Sequence, residues 1–213
     1  MAERPGFYFD KDGVKKAVFE FEWYPGFSVA QKQRSIGSLH NAILQRFPGF
    51  IPLEVSTKST DPLGKKLSAF HLKIGEFFLE NIFQSSKVFE NGGPYTDLLF
   101  VSPKEAKRDQ RLKESGQIIA FRYLDSEWPL IPRTVFYDYL YYCAVKSALS
   151  AEELNEFRKY SFFTDIEFNP NKSLNTQARS AALVRLVLEM YGGLPDIKER
   201  DEFIRFHKAF VKG

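Results

Sequence analysis

The chain has 213 residues, 44% of them hydrophobic and 27% charged, with a formal net charge of +3. That composition excludes a disordered tail, is sufficient for one well-buried domain, and offers no run approaching the ~20 apolar residues of a membrane span. The mild basic balance permits contact with phosphates but does not by itself demand a nucleic acid.

Cys143 is the only cysteine, so no internal disulfide is expected. Its setting, Tyr141-Tyr142-Cys143-Ala144-Val145, suits a small buried apolar group in a reducing cytoplasm. The opening MAERPGFYFDKDG lacks the apolar run of a secretory signal. His40, His71 and His207 are scattered without metal-site spacing, so neither a metal nor a cofactor is expected.

From Lys16 to Tyr24 the pattern alternates, with Phe19, Phe21 and Trp23 opposite Glu20 and Glu22, which predicts a half-buried strand. After Pro25-Gly26, Ser28 with Gln31 three residues on predicts a helix start. Its apolar stripe is Val29, Ile36, Leu39, Ile43 and Phe47, and Lys32 and Gln33 fall on that stripe. A lysine there either snorkels to water or faces a pocket, where desolvation would favour the neutral, nucleophilic amine.

Residues 53–57 and 67–73 read as strands around the polar loop Lys58 to Lys66. That loop is either a solvated turn or, with its lysines and hydroxyls, a holder of a diphosphate. Within residues 67–90 the pattern then predicts a helical segment with Leu79, Ile82, Phe83, Ser86 and Phe89 on one face and Glu80, Gln84 and Lys87 on the other. Spacings of four and three return to nearly one azimuth, so a carboxylate, an amide and an ammonium can converge on one ligand. The plainer reading is an ordinary solvated helix face.

Ser102-Pro103 with Glu105 marks a helix start, and Ile118–Tyr123 reads as a strand. Pro132 is expected to open an aromatic helix to about Ala148, and Ser150 with Glu153 to cap another reaching Tyr160. An irregular stretch from Phe162 to Ser173 leads to a long helix ending at Tyr191 before Gly192-Gly193. Asn175 and Arg179, near that helix start, would suit a phosphate or ribose. Residues 195–211 complete the chain as an amphipathic packing helix with Phe203, Ile204, His207 and Phe210. The expected class is therefore α+β, with helices around a small sheet.

Three segments in register carry a resemblance. Leu67-Ser68-Ala69-Phe70 followed by Glu80-Asn81-Ile82-Phe83-Gln84-Ser85-Ser86-Lys87-Val88-Phe89 resembles an F-S-N-F element and an E-x-x-F-Q-x-x-K-F helix. Ser102-Pro103-Lys104-Glu105-Ala106 resembles an S-P-x-x-A helix start. Phe163-Thr164-Asp165 and Asn175-Thr176-Gln177-Ala178-Arg179 stand in the place of W-G-D and N-x-L-G. These are the marks of the NADAR, or YbiA-like, N-glycosidase family. Over nearly its whole length the chain resembles the NADAR antitoxins that accompany guanine-modifying DarT toxins. It departs in having Phe163 for Trp, Thr164 for Gly, and Phe168-Asn169-Pro170-Asn171-Lys172-Ser173 for a Gly-rich loop.

The resemblance implies a single NADAR domain over residues 1–213, with 1–50 an N-terminal strand and helix extension and 51–213 the YbiA-like region. It also implies a DNA ADP-ribosylglycohydrolase that frees guanine in single-stranded DNA, releases ADP-ribose and opposes a DNA ADP-ribosyltransferase toxin. Cleaving such a bond passes through a cationic sugar carbon, which requires a carboxylate and a group that assists the leaving base. Glu80 is the candidate for the first role. Asp165 is the candidate for the second or for holding the ribose hydroxyls, the alternative being a loop residue or helix cap. Lys32 is the candidate amine should a Schiff base form. Lys58, Ser68, Phe70, Phe83, Gln84, Lys87, Phe163, Asn175 and Arg179 complete the expected substrate contacts, with Phe70, Phe83 and Phe163 able to stack on a base. The rivals are an N-glycosidase of ribosylamine phosphates in riboflavin synthesis and a non-catalytic module that binds ADP-ribose or the toxin.

Overall fold

The computed structural model describes residues 1–169, 176–197 and 199–211. The chain opens with the hairpin β1 Ala2–Asp10 and β2 Gly13–Phe21, then α1 Val29–Arg46, β3 Pro52–Glu54, α2 Pro62–Lys66, the short strands β4 Lys73–Ile74 and β5 Phe77–Phe78, and α3 Leu79–Ser85. β6 Lys87–Phe89, a tight helical turn at Thr96–Phe100, α4 Pro103–Arg108, α5 Arg111–Glu114, β7 Ile118–Tyr123, β8 Ser126–Trp128 and α6 Val135–Ala148 follow. The last elements are α7 Ala151–Phe157, β9 Phe162–Thr164, α8 Gln177–Tyr191 and α9 Arg200–Phe210. This is the α+β class that the sequence predicts.

The elements divide into two compact units: Met1–Ser68 with Leu149–Pro195 and the residues from Phe210, and Ala69–Ala148 with Asp196–Ala209. In the first, four strands run in the order β2-β1-β9-β3. β1 is antiparallel to both neighbours and β3 is parallel to β9. Alternation on β2 turns Ala17, Phe19 and Phe21 inward, where they meet Ile36, Leu39 and Ile43 of α1 and Phe162 of β9. The ring of Phe162 lies 5.3 Å from that of Tyr8 and 5.4 Å from that of Phe47, so aromatic packing closes this core.

β1 was not anticipated, because Pro5-Gly6 interrupts its pattern. Pro5 falls just outside the Gly6–Tyr8 stretch that pairs with β9, where the strand has an open edge that tolerates proline. Gly6 is needed for close approach, since a Cβ there would lie 2.3 Å from the Phe162 ring.

Other local expectations are corrected. The loop after β3 contains α2, capped by Asp61, whose Oδ1 accepts the Leu63 and Gly64 amides. Residues 67–72 form turns and bends and not a strand, and Lys73 instead opens β4, which pairs with β5. The stretch read as irregular from Phe162 begins as β9, inside the sheet. α8 ends at Gly192, whose φ of 69° supplies the left-handed stop.

The second unit holds the antiparallel sheet β6-β7-β8 and the apolar helix α6. Phe136 of α6 packs 4.8 Å from Phe121 of β7, and Phe83 of α3 packs 5.0 Å from Tyr137. Asn81 ties α3 to the following turn, its amide donating to the carbonyls of Leu98 and Val101 at 2.7 and 2.8 Å. α9 docks on α6 through Phe203 and through His207, which the sequence assigned to packing alone. His207 Nε2 hydrogen-bonds Asp138 Oδ2 at 2.7 Å with both side chains buried. Cys143 is partly buried, and burial pushes its thiol pKa up.

Candidate functional site

In the second unit the sequence motif folds differently from a single amphipathic helix. α3 stops at Ser85, so Lys87 opens β6 and not another helical turn. All seven α3 residues are buried, which corrects the expected wet face: Glu80 is 4% exposed and Gln84 5%. The predicted convergence nevertheless forms. Gln84 Nε2 donates to Glu80 Oε1 at 2.8 Å, and Lys87 Nζ reaches back to donate to Gln84 Oε1 at 2.6 Å.

A second cation arrives from α4. Lys107 Nζ lies 3.5 Å from the same Glu80 Oε1. Both known partners of the carboxylate therefore bear on one oxygen, and among the described residues Oε2 accepts no hydrogen bond. Glu80 also stands in the first turn of α3, where the helix field favours a negative charge.

The amine of Lys87 is pushed down to about 8, mainly by burial, with Glu80 opposing and Lys107 reinforcing the shift. It lies 4.9 Å from the centre of the Phe83 ring, as Lys107 lies 5.1 Å from that of Phe70. Phe83 itself is 7% exposed and stacks on Phe121 at 5.4 Å, while Phe70 is half-buried. Glu80, Gln84, Lys87, Phe70 and Phe83 are thus gathered in one unit as expected, with Lys107 as the addition that sequence spacing missed.

The first unit holds a different constellation. Asp165 follows β9, is 8% exposed, and accepts the Glu167 amide at 3.1 Å. Lys32 Nζ lies 3.2 Å from Glu167 Oε1 and 4.7 Å from the centre of the Trp23 ring. Beneath Asp165 is a carboxylate the sequence reading passed over. Glu54 Oε1 accepts from Ser56 Oγ at 2.6 Å and from the Ile166 amide at 2.8 Å, and Oε2 accepts from Thr164 Oγ1 at 2.6 Å. Because the Thr164 hydroxyl donates to Glu54, the 2.9 Å contact from His40 Nε2 must be a donation into Thr164. Burial raises the Glu54 pKa and lowers that of His40 to about 4, so the imidazole is neutral.

Glu54 thereby holds the residues on both sides of Asp165. Only the position of Leu53 and Val55 as its buried neighbours could have signalled a strand covered on both faces.

The remaining expectations fare unevenly. Phe163 is fully buried against Phe157, with ring centres 5.6 Å apart, so its ring is core and presents no stacking face. Ser68 is likewise fully buried. Lys58 is half-buried, its amide donating to Ser56 Oγ at 3.2 Å. Arg179 is half-buried in the first turn of α8, and Asn175 lies outside the described residues. Among the described residues no three metal-ligating side chains cluster, and no helix is long and apolar enough to cross a membrane.

A family model for the DarT1-associated NADAR antitoxin matches residues 2–212. The chain belongs to that family. The match runs through both compact units and includes the hairpin and α1 that precede the recognisable motifs. No curated protein matches the sequence.

Proposed function

We propose that this antitoxin is a hydrolase that removes ADP-ribose from the amino group of guanine in DNA, undoing the action of a DarT1 toxin, and that residues 1–213 serve as one functional domain. The observation that carries the reading is the Glu80 carboxylate: buried, fixed through Oε1 by Gln84 and Lys107, and with Oε2 left for a ligand. In this reading water attacks the anomeric carbon, a new C–O bond forms as the C–N bond breaks, and the water's proton passes to Glu80. The electron pair of the broken bond goes to the guanine amino nitrogen, which takes a proton from the Lys87 ammonium. A carboxylate fixed in a poorly hydrated setting stabilises the cationic sugar carbon more strongly than one in water.

Lys87 takes the proton-transfer role expected of Asp165, because Lys87 is the residue linked through Gln84 to the acid in its own unit. Asp165, from the family resemblance, and Lys32, from its place on the α1 stripe, are tested as separate variants. Incubation with an oligonucleotide carrying ADP-ribosylated guanine should release free ADP-ribose, and Glu80→Gln should stop the release. Intact substrate after prolonged incubation with well-folded wild-type protein would overturn the proposal. Toxin neutralisation that survives Glu80→Gln would assign the protein to binding instead of cleavage.

A further inference from the structure

The connection from β2 to α1 displays groups that the reaction above does not use. Phe27 is 101% exposed, and Val29 beside it is 48% exposed. This display is not a consequence of a loose loop. The amides of Glu22 and Tyr24 donate to Ser38 Oγ and Ser35 Oγ of α1, each at 3.0 Å, and Ser28 Oγ accepts the Gln31 amide at 3.3 Å. Gly26, with φ of 132°, makes the bend that turns Phe27 outward. A held backbone that leaves an entire phenyl ring in water calls for an occupant.

The charge around the ring selects that occupant. The 18 residues of α1 contain Lys32, Arg34 and Arg46 but no aspartate or glutamate. The Arg34 guanidinium lies 4.1 Å over the Tyr24 ring, and Arg4 and Lys32 lie 5.3 and 4.7 Å from the centre of Trp23. Acidic neighbours are already engaged: Glu22 accepts from the Tyr24 hydroxyl at 2.7 Å and Glu167 pairs with Lys32 at 3.2 Å. An open ring beside cations laid on aromatic faces matches a base beside its phosphates, since stacking tolerates any base and guanidinium groups suit phosphate oxygens.

We propose that Phe27 and Arg34, with Trp23 and Tyr24 behind them, form a binding surface for single-stranded nucleic acid, the kind of strand that carries the modified base. This rests on the hydrolase reading for its biological purpose, but the surface can be measured without catalysis. The first measurement is anisotropy of a labelled, unmodified single-stranded oligonucleotide. Phe27→Ala should weaken binding about tenfold, the scale of one lost base stack. Arg34→Ala should weaken it and reduce the salt dependence by about 0.7 in the slope of log affinity against log salt.

The second measurement compares hydrolysis of the modified oligonucleotide with that of ADP-ribosylated guanosine monophosphate, which has no flanking strand. Both variants should raise KM for the oligonucleotide and leave turnover of the mononucleotide unchanged. If wild-type protein cleaves neither substrate, the hydrolase reading falls while the anisotropy still decides the surface. Unchanged oligonucleotide binding in both variants would overturn the surface, as would variants that lose only affinity for the toxin, which would make this a protein-docking face.

Discussion

Two buried glutamates, one in each unit, show how similar exposure can serve different ends. Glu54 is 2% exposed and Glu80 4%, yet Glu54 receives three donors spread over both oxygens, whereas the partners of Glu80 converge on one. A carboxylate saturated by short, fixed hydrogen bonds has no capacity left for a substrate and instead holds its donors in place. One with an open oxygen keeps that capacity, at the cost of incomplete solvation. Burial alone therefore does not distinguish the two acids; the count of unfilled acceptor positions does.

The largest expected effect breaks the comparison on the Glu80 side. Glu80→Gln should lower the rate of ADP-ribose release by about a hundred- to a thousandfold, the scale of losing a principal catalytic carboxylate. The melting temperature should stay within a few degrees of wild type, because Gln can still accept from Gln84. On the other side, Glu54→Ala should act first on stability. It strips the acceptor from the Ser56 and Thr164 hydroxyls and the Ile166 amide at once. Leaving those groups buried and unpaired costs about 3 kcal/mol or more, a fall of roughly 6 to 12 °C for a chain of this size by calorimetry. A large loss of rate with full stability in Glu54→Ala would reverse the assignments.

The Glu80 cluster was legible because its members are close in sequence. Glu80, Gln84 and Lys87 lie within eight positions, so helical spacing brought them together on paper even though the helix ends before Lys87. Misreading Lys87 as helical did no harm, since a strand that leaves the helix end still lets a long side chain reach back. Glu54 was opaque for the opposite reason. Its partners Thr164 and Ile166 are more than a hundred residues away, joined to it only by the parallel pairing of β3 with β9. His40 looked like a scattered histidine for the same reason. Phe163 was misassigned because a motif position says nothing about which way a strand turns its rings, and here the ring turns into the core.

Between these extremes lies the lysine of the Glu80 cluster. With its pKa depressed to about 8, the Lys87 ammonium is lost as pH rises through that value. If it protonates the leaving guanine, kcat/KM should fall about tenfold per pH unit above 8. Lys87→Met should lower the plateau and abolish that limb. A rate that instead climbs through pH 8 would identify the neutral amine as the working form and return a Schiff-base route to consideration.

The smallest effect separates Glu54 from His40, which share the Thr164 hydroxyl. The Glu54 pKa is raised above the ordinary 4.5, so its contribution to stability is present at low pH and is lost as pH rises through the folded value. His40, lowered from 6.5 to about 4, contributes in the opposite sense: its share is present above 6.5 and is lost as pH falls toward 4. In wild type the two trends oppose each other across this window. Glu54→Gln removes only the first, so the melting temperature of the variant should rise more steeply with pH from 4 to 6.5 than that of wild type. The difference curve isolates Glu54 from every other titrating group. A flat difference would mean that its hydrogen bonds offset its burial, so that its folded and unfolded pKa values coincide and His40 is left as the pH-sensitive partner of Thr164.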